Sequence, residues 1–481
     1  MTHLNKFLLI AGLLLLGLPL LAQLATPTIF SSNMVLQRDM PVPVWGTAKP
    51  WERITVKFGD NRLKTFADES GSWRVTLPAM KANKTPQQLT IKGKDTTLVY
   101  DKILIGDVWL CSGQSNMEYS VKRHSSFLPP AKGEDLEAVA LTSGPMPLLS
   151  VFNQTRNGKN AAWQVADGKT IERTSSIGFF FAKAIQDTLD IPIGLITVAL
   201  GGTQIEAWTT TTMYEAFPLF ADELQRSNGR VGGLRPGNWY KAMMEPLTPY
   251  AVKGFLWYQG ENNCGKRDRR YAEKFQVMVK SWRTAFEAPQ APFYCVLLAP
   301  HIYSDRKHNN KTYPVTAEDL PLFREQQKKG VNLVENCDYI VVSDLVDQLT
   351  DIHPPYKWEV GSRLARLALA KTYGFSKIVW SGPRISHVET VADSLIVTFD
   401  HCAKGLKTND NKRISWFEVA AKDGVFRPAF ADIKGKNQVV VYLPEVKQPV
   451  SVRFGWHETA MPNLVNSEGW PATPFCQQKF D

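Results

Sequence analysis

Three polar loops and one histidine segment carry the residue types that acyl transfer needs. The first loop, Gly113-Gln114-Ser115-Asn116-Met117, follows the apolar run Val108-Trp109-Leu110. A serine just past a strand, beside a glycine that permits a tight turn, can present its hydroxyl as a nucleophile at a sheet edge. Met117 stands where the Gly-x-Ser-x-Gly elbow has its second glycine, which disfavours an ordinary α/β-hydrolase. The second loop, Gly201-Gly202-Thr203, follows Thr197-Val198-Ala199-Leu200. Paired glycines let backbone N–H groups approach a developing oxyanion. The third, Gln259-Gly260-Glu261-Asn262-Asn263, follows Phe255-Leu256-Trp257-Tyr258 and is rich in amides, so Asn262 or Asn263 can donate to the same oxyanion. Taken singly, each loop is an ordinary turn.

A general base must come from few candidates. Of eight histidines, His3 falls in an apolar leader, and His387, His401 and His457 fall in a C-terminal β region. His124, His301, His308 and His353 remain. His353 stands out because Asp351-Ile352-His353-Pro354 opens a helix, with Pro354 near its first turn. Asp351, two residues away, can hold the ring and stabilise an imidazolium.

These loops need a scaffold, and the hydrophobic pattern supplies one. From about residue 26 to residue 100 the runs Met34-Val35-Leu36, Val42–Trp45, Ile54–Phe58, Ser72–Val75 and Leu89–Ile91 alternate with turn residues, as in a β-sandwich. Between residues 101 and 375 strands alternate with helices. Strand-like runs at Ile103–Leu110, Ile193–Leu200, Val252–Tyr258, Phe293–Leu298 and Tyr339–Ser343 separate helical stretches at Ile177–Ile185, Tyr271–Phe286 and Pro355–Tyr373. This predicts a mostly parallel sheet in a three-layer α/β domain, with ligand sites at the carboxyl ends of its strands. From residue 376 to 481 the β pattern returns at Leu395–Phe399, Ser415–Val419 and Val439–Tyr442.

Composition bounds the rest. With 481 residues, 44% hydrophobic and 21% charged, the chain is globular and large enough for several domains. Lys6, the apolar run to Leu18 and small residues near Ala22 predict a secretory signal peptide over 1–22, hence an exported, periplasmic or extracellular protein. That run is too short to span a bilayer, and no other stretch is long enough. A net charge of +10, spread without a dense basic block or nucleic-acid motif, either helps attract an anionic substrate such as an acidic sugar or is a solvated surface with no particular partner. Six scattered cysteines form no CxxC pair or zinc cluster, so no metal is expected, and their spacing selects no disulfide pairing. Cys111 and Cys295, in apolar runs, read as buried thiols.

Taken together, the ordered blocks are more specific than any one of them. They resemble the SGNH hydrolases and, more closely, the sialate O-acetylesterase family. The resemblance rests on Asn33-Met34-Val35-Leu36-Gln37-Arg38, Val44-Trp45-Gly46, Gly106-Asp107-Val108-Trp109, Gly113-Gln114-Ser115-Asn116-Met117, Gly201-Gly202-Thr203, Trp257-Tyr258-Gln259-Gly260-Glu261 and Asp351-Ile352-His353-Pro354. It extends to Asn463-Leu464-Val465-Asn466 and Gly469-Trp470-Pro471-Ala472. It implies an SGNH-like fold and a serine esterase that hydrolyses O-acetyl esters of sugars through an acetyl-serine intermediate, with no metal or organic cofactor. It places the nucleophile at Ser115, the base at His353 and oxyanion donors at Gly202 and Asn262. Gln114, Gln259 and Glu261 are carried over as substrate-binding residues. Asp351 is the chosen acid, although the Asp351-x-His353 spacing is one residue shorter than the usual SGNH pattern; Asp347 or a backbone carbonyl is the substitute. The expected substrates are 9-O-acetylated sialic acids. An acetylesterase for xylan or pectin is the alternative, and a non-catalytic carbohydrate-binding protein a third reading.

Overall fold

In the computed structural model, residues 23–124, 127–158, 161–305 and 314–478 are described; the leader expected at 1–22 and His308 lie outside them. The chain opens with β1 (Val35–Gln37), β2 (Val42–Thr47), β3 (Arg53–Phe58), β4 (Asn61–Phe66), β5 (Ser72–Leu77) and β6 (Asn83–Lys92). β3 buries Ile54, Val56 and Phe58 and turns Arg53 and Lys57 to solvent, the period-two alternation of a half-covered sheet. β2 and β5 pair with each other, while β3 lies between β4 and β6.

The next strand, β7 (Thr97–Gly113), joins this sheet to the one that carries the candidate site. Its first half pairs with β6, and β1 runs parallel to it over Leu104–Gly106. It then runs through the expected boundary at residue 100 and becomes the central strand of the next sheet. Its exposure pattern changes on the way. Residues 97–102 are exposed or half-buried, whereas every residue from Ile103 to Gly113 is buried. The sequence pattern at Ile103–Leu110 therefore reported only the covered half of the strand.

Around β7 the chain builds β8 (Met146–Asn153), β9 (Trp163–Ala166), β10 (Ile193–Ala199), β11 (Gly254–Tyr258), β12 (Phe293–Val296) and β13 (Cys337–Ile340), in the order β13-β12-β11-β7-β10-β8-β9. All pairs on this path are parallel except β8–β9. Every residue of β10 and β11 is buried, as a sheet covered on both faces requires. The helices are α1 (Ser115–Glu118), α2 (Leu136–Ala140), α3 (Ser176–Leu189), α4 (Thr211–Glu215), α5 (Pro218–Arg226), α6 (Glu261–Cys264), α7 (Tyr271–Ala285), α8 (Asp319–Asn332) and α9 (Lys357–Lys371). α3 is capped by the Ser175 hydroxyl on Gly178 N–H and buries Ile177, Phe181 and Ile185 along one face. α3 packs on α9 and α7 on α8.

The hydrophobic core runs without a break from Leu24 in the first β region to Leu369 in α9. A second core, including Val397, Phe417, Val441 and Phe454, sits within the C-terminal strands, which form two four-stranded sheets and a short Leu406–Thr408/Leu464–Asn466 pair. All six cysteines are free thiols, and Cys111 and Cys295 are buried. No helix among the described residues is long and apolar enough to cross a membrane.

Candidate active site

Strand register brings the three loops together. Gly113 at the end of β7 pairs with Ala199 of β10 on one side and Tyr258 of β11 on the other, so the chain segments after these strands leave the sheet side by side. Gly113 has φ +147°, and a Cβ there would stand 2.0 Å from the Tyr258 carbonyl oxygen, so only glycine fits this turn. The chain turns at once into α1, whose first residue is Ser115.

His353 reaches Ser115 from the loop ahead of α9. Its Nε2 lies 2.9 Å from Ser115 Oγ, within reach for direct proton transfer. Asp351 Oδ1 accepts the His353 backbone N–H at 2.9 Å and stands 3.5 Å from Nδ1, behind the ring nitrogen that faces away from serine. Burial works against the Asp351 charge, but hydrogen bonds from the His353 ring and backbone outweigh it and hold the carboxyl below its usual range. Asp347, the alternative acid, is occupied elsewhere: it accepts the Tyr356 hydroxyl and the Ala131 N–H. Phe127 packs on the imidazole at 4.7 Å between centroids and stacks on Tyr119, which limits how the ring can swing.

The second loop offers backbone. Gly202 has φ +72°, and a Cβ there would meet no atom within 4 Å, so this peptide borders open space next to the serine. Gly201 N–H is taken by the Glu118 carboxylate. Asn262, expected as an oxyanion donor, turns its side-chain amide onto the Gly202 carbonyl and so supports that loop.

The three residues expected to bind substrate are buried; Gln114 and Gln259 are hydrogen-bonded within the protein, and Glu261 through one of its two oxygens. Gln259 Nε2 donates to Gln114 Oε1, to the Thr203 carbonyl and to Asn263 Oδ1, and its own oxygen accepts the Tyr271 hydroxyl. Gln114 Oε1 also faces the Gly260 and Asn262 N–H groups at 3.4 Å. Glu261 accepts from Asn116. Buried amides must find partners, and here they find each other across the three loops.

Several polar residues under the site went unassigned in the sequence. Asn116, next to Ser115, donates to Glu261 and to the Ile352 carbonyl beside His353, and accepts from Lys357. One amide thus ties the serine loop to the third loop and to the histidine loop. Lys357, fully buried in the first turn of α9, has its Nζ 4.8 Å from the Tyr119 ring centroid. Burial pushes its pKa down to about 7, although Glu137, Glu261 and Asp351 oppose the shift through space. Burial likewise raises the Glu261 carboxyl, whose Oε2 has no hydrogen-bond partner among the described residues. A signal for Lys357 was present: it shares the spacing of Val360 and Leu364 on the apolar face of its helix. On the other side, Asn263 donates to Glu206 and Asp268, and Lys274 bridges the same two carboxylates at 2.7 and 2.8 Å. Among the described residues no group of three or more His, Cys, Asp or Glu side chains could hold a metal ion.

A strand-end serine with a histidine at hydrogen-bond distance is equipped for ester hydrolysis, and comparison with known proteins agrees. Residues 105–370 match the family model of carbohydrate esterases described as sialic acid-specific acetylesterase. The chain belongs to this acetylesterase family. Across 95% of its length the esterase superposes on the whole of a carbohydrate acetylesterase from Xanthomonas citri, with a TM-score of 0.81 and 30% identity. It is 26% identical to a sialate O-acetylesterase from Pongo abelii over 92% of this chain and 91% of that one. To the Homo sapiens sialate O-acetylesterase it is 25% identical, over 79% and 77% respectively. The carbohydrate acetylesterase activity and the SGNH-type fold expected from the sequence both stand.

Proposed function

We propose that this carbohydrate acetylesterase acts on O-acetylated sialic acids, with the 9-O-acetyl group as its preferred ester, and that it works outside the cytoplasm after removal of residues 1–22. The observation that carries the chemical part is the 2.9 Å approach of His353 Nε2 to Ser115 Oγ. His353 takes the hydroxyl proton as Ser115 attacks the acetyl carbonyl. Asp351 holds the ring and balances the imidazolium. The N–H groups of Ser115 and Gly202 receive the oxyanion, each such donor contributing about 3 kcal/mol to barrier lowering. His353 then protonates the departing sugar hydroxyl, and water, deprotonated by the same ring, releases acetate from Ser115.

The names of the curated relatives and the chain's net charge of +10, which favours an anionic sugar, support the sialate reading. The test is acetate release from 9-O-acetylated sialic acid compared with acetylated xylan, using wild type and Ser115→Ala. Preference for the sialate and loss of about 10⁴-fold or more in kcat in the variant are expected. Faster turnover of xylan would overturn the substrate, and near-normal activity in Ser115→Ala would overturn the nucleophile. Asp351→Asn should cost about 10²-fold or more in kcat, whereas Asp347→Asn should leave kcat within a few-fold. N-terminal sequencing of the exported chain tests the leader, with cleavage near Ala22 expected.

A further inference from the structure

The first β region carries a surface that the reaction does not use. On the outward face of β3, β4 and β6, cations stand in cross-strand rows: Lys57 directly opposite Arg62, and Lys64 and Lys92 on either side of Thr55. Like charges directly opposed in a sheet destabilise it. None of these four residues, nor Arg53, makes an ion pair among the described residues. Two acids near this face have partners of their own. Glu52 accepts the Lys49 and Lys94 backbone N–H groups, and Asp95 pairs with Lys49.

Two aromatic rings flank this basic face. Trp51 is 70% exposed and Phe66, paired with Arg53, is 62% exposed; they are the two most exposed large apolar side chains among the described residues. Trp51 is held with φ +63°, a left-handed conformation that a bulky residue rarely adopts. It lines a groove of about 630 Å³ together with Arg53, Arg62, Lys64 and Lys92. Exposed rings cost solubility and opposed cations cost stability, and neither serves the core. A flat aromatic face beside cations suits an acidic sugar: a pyranose ring to stack on, bearing carboxylates to pair.

The geometry points to a non-catalytic binding face for an acidic polysaccharide, centred on Trp51 and the Arg62–Lys64 strand. It lies at the opposite end of β7 from Ser115, since Lys92 pairs with Thr97 where that strand begins. A polymer held there keeps the esterase on its substrate while the site at the other end of the strand works on acetyl groups.

The test is binding of the full chain to polygalacturonate, which carries carboxylates without acetyl esters, by calorimetry at low and moderate salt. Neutral xylan and vesicles of anionic phospholipid serve as comparisons. Wild type should bind polygalacturonate, and Trp51→Ala and Arg62→Glu/Lys64→Glu should each weaken binding at least tenfold. In the charge-reversed variant the affinity should also lose most of its salt dependence. Hydrolysis of a small aryl acetate should be unchanged in both variants, which reports an intact fold because neither site touches Ser115. No binding by wild type, equal binding by Trp51→Ala, equal binding of neutral xylan, or tighter binding of the vesicles would each overturn the proposal.

Discussion

Two buried lysines join the polar network of the site loops, and their surroundings treat them in opposite ways. Lys274 on α7 sits between Glu206 and Asp268, at 2.7 and 2.8 Å. Burial opposes its charge, yet the two carboxylates outweigh burial and raise its pKa. Lys357 on α9 is equally enclosed but makes no ion pair among the described residues; its ammonium touches the Asn116 amide oxygen and faces the Tyr119 and Tyr258 rings. There burial wins, and the pKa falls to about 7. Burial alone therefore does not set a charge state; the partner within hydrogen-bond distance does. A paired lysine braces the loops, whereas one without a counter-ion is costly to keep and marks a functional region.

The largest effect is expected at Lys274. Lys274→Met removes the lysine between the two acids and leaves Glu206, which is buried, facing Asp268 with no lysine between them. The expected loss is about 3–5 kcal/mol of unfolding free energy. Urea unfolding reads it directly. A loss below about 1 kcal/mol would mean that the cluster contributes little to stability and that the two lysines are not different in kind.

Much of this arrangement was legible in the sequence, and the part that was not has a physical cause. Ser115 and His353 stood out because a polar residue after a long apolar run is visible without knowing its neighbours. The β10, β11, α7 and α9 spans were readable for the same reason: their apolar periods are strong. β8 and β9 were missed, since Met146-Pro147-Leu148-Leu149-Ser150 lacks a clean alternation and β9 has only four residues. Gln114, Gln259 and Glu261 came from the family resemblance, and their hydrogen-bond partners could not be read from polarity. It shows that a side chain needs hydrogen bonds, but not whether substrate or protein supplies them. The roles of Asn116 and Lys357 depend on contacts across more than 200 residues, which no local pattern encodes.

An unfolded Lys357 would hold its proton to about 10.5, whereas the folded one releases it near 7. Between those values the unfolded chain binds more protons, so this residue makes stability rise with pH and costs most below about 7. Lys357→Met removes that contribution. Unfolding free energy measured from pH 6 to pH 10 should rise less steeply in the variant than in wild type, and identical slopes would refute the assigned charge state. Because Lys357 also holds Asn116 between the serine and histidine loops, kcat should fall about tenfold with KM little changed. Lys274→Met, compared at a temperature where it is folded, should spare kcat more than Lys357→Met does.

The smallest effect is expected at Asn262, which lies between the two lysine clusters. Its amide donates to the Gly202 carbonyl, and that bond fixes the peptide whose N–H is the proposed oxyanion donor. An indirect support of this kind is worth about 1 kcal/mol, so Asn262→Ala should lower kcat about fivefold. A residue that itself donates to the oxyanion would cost about 10²- to 10³-fold when removed. The two roles therefore differ by more than a factor of ten in the same assay. A fivefold loss keeps Asn262 among the residues that brace the loops, alongside Gln114 and Gln259. A hundredfold loss would move it into the reacting row with Ser115 and His353, and would mean that its amide leaves Gly202 when substrate arrives.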